Sequence, residues 1–136
     1  MVRLIMGVKG SGKTKQLIEL INTAAKNEPG SVVCIEADPN MTYDIHSHIR
    51  LIDAQEYRLD NFEVYRGFIS GLYAGNYDIS QVFIDNLCKT VGCDVGQETE
   101  TFLNWLDAFG EKNGIKFTVT ISAEISLATD GMKRYL

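Results

Sequence analysis

Short apolar runs alternate along this chain with segments whose apolar residues recur every three to four positions. Val2 to Met6 is the first apolar run, and Ser31 to Glu36 (SVVCIE) is a second, rich in β-branched residues as expected for a strand covered on both faces. Ile49 to Asp53 (IRLID) alternates weakly and reads as a shorter, more exposed strand. Val82-Phe83-Ile84-Asp85 and Ile115 to Ser122 complete the set. Between these runs lie three helical stripes. Leu17, Ile18, Leu20, Ile21, Ala24 and Ala25 form the first, closed by Pro29-Gly30. Phe62, Tyr65, Phe68, Ile69, Leu72 and Tyr73 form the second, opened by Asp60-x-x-Glu63 in the pattern of a capping box. Phe102, Leu103, Leu106 and Phe109 form the third. Gly67 and Gly71 interrupt the second stripe, where they either permit close packing or shorten the helix. Five strands alternating with helices predict an α/β fold, with a mainly parallel sheet flanked by helices.

Composition narrows the class without naming a ligand. With 136 residues, 45% of them hydrophobic, the chain is expected to form one domain, residues 1–136, with a sizeable core. No apolar run approaches the ~20 residues of a membrane span. The N-terminus enters a strand directly rather than a signal peptide, so a cytoplasmic location without membrane insertion is expected. The net charge of -5 is moderate and the 13 Lys and Arg are scattered, so no nucleic-acid-binding stripe is visible. Cys34, Cys88 and Cys93 form no CxxC pair and read as free thiols. Cys88-x4-Cys93 with His46-x-His48 has looser spacing than ordered zinc sites show.

One segment does name a ligand. Gly7, Val8, Lys9, Gly10, Ser11, Gly12, Lys13 and Thr14 match G-x-x-x-x-G-K-[ST] at every fixed position, between a strand-like and a helix-like segment. Glycines at these places let successive N–H groups point at a phosphate, and the following helix adds its N-terminal partial charge. Lys13 is expected to reach the β- and γ-phosphates and Thr14 to hold Mg²⁺. Asp85 ends an apolar run in the manner of a Walker B strand and is the expected second metal residue. Many related ATPases place a water-activating Glu next. Here Asn86 stands there, and an amide cannot accept that proton. Glu36 and Asp38, at the end of the neighbouring strand, are the alternatives for the base. Their ordinary role would be turn formation ahead of Pro39. No N/TKxD pattern of GTPases occurs, which favours ATP by elimination.

CIEADPN (Cys34 to Asn40), RLID, a helix, QVFIDNL and KFTVTIS follow one another as in RecA-like ATPases, and the chain resembles that family over residues 1 to about 124. The resemblance implies a RecA-like P-loop domain. It favours Asp38 as the catalytic base with Glu36 second, and it assigns Ser122 or Glu124 to sense the γ-phosphate. The whole chain is also similar to small bacterial P-loop proteins loosely labelled twitching-motility ATPase-like. Twitching-motility ATPases themselves carry an N-terminal domain and acidic and histidine boxes for which this chain has no room.

Three functions fit these residues. The first is Mg²⁺-dependent ATP binding with slow hydrolysis, as an ATPase or switch. The second is a small phosphotransferase like type II thymidine kinase, which shares the early strand–loop–helix–strand pattern but has an Arg-rich lid and a zinc-binding cysteine set absent here. The third is a nucleotide-binding module without turnover, suggested by Asn86. Arg50, Arg58, Arg66, Lys133 and Arg134 are candidates for stabilising transferred charge, and a finger from a neighbouring subunit is an equal alternative, so self-assembly or a protein partner is expected. The RecA-like arrangement predicts the sheet order Ile49 strand, Val32 strand, Val82 strand, Phe117 strand, Leu4 strand, with the Asp85 strand not adjacent to the loop strand. Direct pairing of Leu4 with Phe83 would refute it.

Overall fold

The computed structural model describes residues 1–38, 45 and 48–136. Its strands are β1 (Val2–Gly7), β2 (Ser31–Glu36), β3 (Arg50–Asp53), β4 (Ile79–Ile84) and β5 (Lys116–Ser122). Its helices are α1 (Lys13–Asn27), α2 (Phe62–Gly75), α3 (Leu87–Val91) and α4 (Gln97–Asn113). All strand pairs are parallel, in the order β1-β5-β4-β2-β3. Leu4 therefore pairs with Val119, and Phe83 with Thr118 and Cys34. Read from its other edge, this is the order expected from the sequence.

The central strands are buried on both faces, which is why they read as almost continuous apolar runs. Val32, Cys34 and Phe83 pack with Leu17, Ile21 and Ala24 of α1. On the opposite face Val33, Ile35, Val82, Ile84, Phe117, Val119 and Ile121 meet Phe62, Tyr65 and Ile69 of α2 and Phe102, Leu103 and Leu106 of α4. Phe102 joins the two helices, with its ring centroid 5.0 Å from Phe62 and 5.4 Å from Tyr65. β5 departs from the all-apolar rule. Thr118 and Thr120 are buried on the α1 face, and Thr120 is used by the site below.

Two local features differ from the sequence reading, and a third lies beyond it. Asn61, not Asp60, caps α2: its side chain accepts from Val64 N at 2.8 Å. Both residue types cap well, so periodicity alone leaves this boundary open by one position. Residues 125–136, beyond the RecA-like resemblance, pack back onto the core through the buried Met132 and Tyr135. Tyr135 Oη donates to Asn104 Oδ1 at 2.6 Å and Thr129 Oγ1 to Glu100 Oε1 at 2.6 Å. Gly67 and Gly71 neither shorten α2 nor allow close approach, since a Cβ on either meets nothing within 4 Å. Among the described residues no helix is long and apolar enough to cross a membrane.

Because both glycines are exposed in a helix interior, Gly67→Ala or Gly71→Ala should each stabilise the protein by about 1 kcal/mol. Chemical denaturation would show this as a higher midpoint with an unchanged slope. A destabilised variant would mean that the missing Cβ serves a contact the fold does not display.

Candidate functional site

The loop between β1 and α1 is shaped by its glycines. Gly10 and Gly12 have φ of 85° and 89°, in the left-handed region that disfavours a Cβ. At Gly7 a Cβ would come within 2.5 Å of Ser11 Oγ. The loop curls back on itself, with Ser11 N donating to Val8 O at 3.1 Å, and α1 starts immediately after Gly12. Lys13 Nζ lies over this curl. It donates to Val8 O at 3.0 Å and reaches Ser11 Oγ at 3.5 Å.

Parallel pairing brings other residues to the same edge. Gly7 is in register with Ser122 and Ile84 with Val119. The β2–β4 ladder continues one step through Asp85 N, which donates to Ile35 O at 2.9 Å. Thr120 of β5 stands between the loop and Asp85. Its hydroxyl donates to Asp85 Oδ1 at 3.3 Å and accepts from Asn86 N at 2.8 Å. Burial pushes the Asp85 carboxyl above its usual range. Hydrogen bonds from the Ala37 backbone and Thr120 and the nearby Lys13 charge pull it back, while Asp38 adds to the rise.

A cleft of about 1000 Å³ opens along this edge. Its walls carry Lys9, Lys13, Lys15 and Lys89 against Asp38, Asp85 and Asp94, a small positive excess in a chain of net charge -5. Asp38, Asp85, Thr14 and Ser122 line the same cleft. Asp38 is held from two sides: Lys89 Nζ donates to Oδ2 at 2.5 Å, and Gln55 Nε2 to Oδ1 at 3.4 Å. Gln55 is itself fixed, through Ala37 O at 3.1 Å and through its own N–H to Asp53 Oδ1 at 2.9 Å.

Most of the residues singled out from sequence thus meet in one place: Lys9, Gly10, Gly12, Lys13, Thr14, Asp38, Asp85 and Ser122. Gly7, Val8 and Ser11 shape the loop without lining the cleft, and Val8 is exposed. Glu36 is 2% exposed and lines a separate groove with Arg50, Asp53 and Tyr57. Glu124 is exposed and lies outside the cleft. None of the candidate cations lines it. Arg66 sits 5.9 Å from the centre of the Phe102 ring, Lys133 pairs with Asp130 at 3.1 Å, and Arg134 contacts Asn104 at 2.6 Å. Arg50 and Arg58 lie at other grooves. Among the described residues no group of three or more His, Cys, Asp or Glu is disposed to hold a metal. His46, part of the imagined zinc set, is outside the described residues.

Lys89, Gln55 and Thr120 were not found from sequence. Lys89 had a visible signal, four residues after Asp85 and just beyond the strand. Thr120 had a weaker one, as a hydroxyl in an otherwise apolar strand. Asn86 also gains a structural reason for its identity, since its φ of 48° is left-handed and Asn tolerates this better than Glu.

No protein-family model matches the sequence, and neither does any curated protein. The fold has counterparts among solved structures. Flagellar accessory protein FlaH from Methanocaldococcus jannaschii superposes with a TM-score of 0.59 at 12% identity, over 98% of this chain and 65% of FlaH. At that identity the likeness shows the fold alone, which is RecA-like. The chain spans about two thirds of FlaH's length, and the likeness carries nothing about twitching motility.

Desolvation raises the Asp85 pKa, so the folded state holds its proton more tightly than the unfolded chain. Its contribution therefore lowers stability as pH rises above the ordinary Asp value of 3.8. In metal-free buffer at pH 7, Asp85→Asn should raise the thermal midpoint, since Asn can still accept the Thr120 and Ala37 hydrogen bonds. The gain should shrink on acidification toward pH 3.8. A pH-independent gain, or a loss at pH 7, would contradict the assigned cause.

Proposed function

We propose that this chain binds a nucleoside triphosphate, ATP in the first instance, with Mg²⁺ at the carboxyl edge of the sheet, and turns it over slowly as an ATPase or ATP-driven switch. The observation that carries this reading is the convergence of Lys13, seated over a glycine-shaped loop, with Asp85 and Asp38 in one cleft. The residues present fit both groups. Lys13 now satisfies its amine on Val8 O, an oxygen that a phosphate oxygen would replace. The loop ends at the N-terminus of α1, where backbone N–H groups favour an anion. Thr14 and Asp85 offer hard oxygen donors suited to Mg²⁺, and the buried Asp85 charge is the kind a cation would offset.

In this reading Lys9, Lys13, Lys15 and the loop N–H groups hold the phosphates, and Thr14 with Asp85 holds the metal. Mg²⁺ would supply charge neutralisation at the β- and γ-phosphate oxygens. Asp38 accepts the proton of the attacking water, and Ser122 monitors the terminal phosphate. Asp38 is the better base of the two considered, because Glu36 does not line the cleft. Its engagement by Lys89 and Gln55 keeps it from acting freely, which accounts for slow turnover. No Arg among the described residues lines the cleft, which supports a finger delivered by a second subunit or partner. The same pairing supports the second reading, a binding module whose nucleotide state is sensed by a partner. The phosphotransferase reading gains less, because β5 separates β1 from β4 whereas most nucleotide kinases place those two strands side by side.

Calorimetric titration with ATP and Mg²⁺, paired with phosphate release, tests this. Lys13→Ala should weaken binding at least about tenfold, the equivalent of 1.4 kcal/mol for a lost charge-assisted contact. Asp38→Asn should retain binding and lose turnover. Unaltered affinity in Lys13→Ala would remove the nucleotide reading. Unaltered turnover in Asp38→Asn would remove Asp38 as base. Incubation of the parent protein with ATP and a nucleoside panel should give no phosphorylated nucleoside, and its appearance would make the chain a phosphotransferase.

A further inference from the structure

Two of the cleft-lining residues take no part in that chemistry, yet they sit against one another. Cys88 lies in the first turn of α3 and Cys93 follows the Gly92 that ends it. Gly92 is left-handed, with φ of 71°, and the N–H groups of Gly92 and Cys93 both donate to Cys88 O, at 2.9 and 3.1 Å. The second of these is the six-residue closure of a Schellman turn, in which the side chains of the first and last residues lie on the same side and frequently meet. Both thiols are free, and Cys93 adds to the rise of the Cys88 pKa that burial causes. Both also face the cleft, with Lys89, Gly92 and Asp94 as neighbours. Cys34, the third cysteine, is fully buried among the apolar residues beneath α1.

We propose that Cys88 and Cys93 are a redox-modification site, a dithiol that closes to an intramolecular disulfide by exchange with a low-molecular-weight disulfide such as oxidised glutathione and thereby weakens binding in the adjoining cleft. The second half of this rests on the nucleotide reading given above. Burial pushes the Cys88 thiol up to about 12, so Cys88 stays protonated and Cys93 is the sulfur that attacks first. The Cys93 thiolate displaces one glutathione thiolate and forms a mixed disulfide. Cys88 then gives up its proton and attacks the Cys93 sulfur, expelling the second glutathione. Two protein thiols and one oxidised glutathione become one protein disulfide and two reduced glutathiones. The two thiol protons pass to the leaving thiolates, and two electrons pass from cysteine sulfur to the reagent.

Closing the bond acts on the cleft through the chain itself. A disulfide fixes its two sulfurs about 2.05 Å apart, and the turn that carries them forms part of the cleft wall. Cys88 is drawn from its contact with Thr99 Oγ1, now 4.0 Å away, toward residue 93. Lys89 is the next residue of the same five-residue helix, so its amine moves relative to Asp38. By linkage, a nucleotide that binds the reduced form better must oppose oxidation by the same factor.

The test is a glutathione redox titration of the intact protein with and without Mg²⁺-ATP. It is quenched by alkylation and read by mass and peptide mapping, alongside fluorescent-nucleotide binding to the reduced and oxidised forms. A Cys88–Cys93 crosslink with Cys34 unreacted is expected. Nucleotide affinity should fall about tenfold on oxidation and recover with dithiothreitol, a 1.4 kcal/mol change, and ATP should shift the titration toward more oxidising conditions. Cys93→Ser should form no crosslink and lose the oxidant sensitivity. Thiols that stay free, or that stop at glutathione adducts, would overturn the proposal, as would a crosslinked protein with unchanged affinity. If the reduced protein binds no nucleotide, the nucleotide reading falls, while the crosslink, read by mass alone, still decides the dithiol.

Discussion

Thr120 ties together the two halves of the site. Its hydroxyl donates to Asp85 and accepts from the N–H of Asn86, so the end of β4 is held by a side chain from β5. β5 is in turn paired on its other side with β1, whose last residue begins the glycine loop. The distance between that loop and Asp85 is therefore set by one intervening strand and by the hydroxyl it carries. An apolar residue at position 120 would leave the Asn86 N–H without its partner and the Asp85 carboxylate with only the Ala37 backbone bond, a cost of about 1–3 kcal/mol for the lost N–H partner and more where a charged group is involved. The strand order and the site geometry are in this sense one constraint.

The same edge gathers charges that the fold would otherwise disfavour. Asp85 is largely buried and Asp38 lies near enough to raise its pKa, while Lys13 opposes the rise. Lys89 pairs with Asp38, and Lys9 and Lys15 face the cleft as well. A carboxylate kept buried beside a glycine-shaped, cation-lined concavity costs stability in the empty protein. In the proposed function, a phosphate–metal complex in this space would offset that cost. That balance underlies the proposed function.

Much of this was legible in the sequence, for physical reasons that can be named. Strands buried on both faces must be apolar throughout, so SVVCIE and VFID announced β2 and β4. The loop could be read because Gly10 and Gly12 occupy left-handed positions that other residues resist. The sheet order followed from resemblance rather than from periodicity, which carries no information on strand neighbours. Lys89 and Gln55 escaped because they act on Asp38 across 51 and 17 residues of chain, and tertiary pairing leaves no local pattern. Asn86 was read as a lost catalytic Glu, but its backbone conformation is a sufficient reason for Asn. The glycines of α2 were read as permitting close packing or shortening the helix and proved to do neither, since a missing side chain looks the same in sequence whether its neighbour is a helix or water.

The central claim is that the Gly7–Thr14 loop and Asp85 form two sides of one triphosphate–metal site bridged by β5. A crystal structure of the protein with Mg²⁺ and a non-hydrolysable ATP analogue tests it most directly. The account predicts phosphate oxygens on the amides that open α1, Lys13 Nζ transferred from Val8 O to phosphate, and a metal about 2.1 Å from Thr14 Oγ1 on the Asp85 side. An analogue bound elsewhere, or phosphates in the loop with Lys13 still on Val8 O and no metal between Thr14 and Asp85, would contradict it.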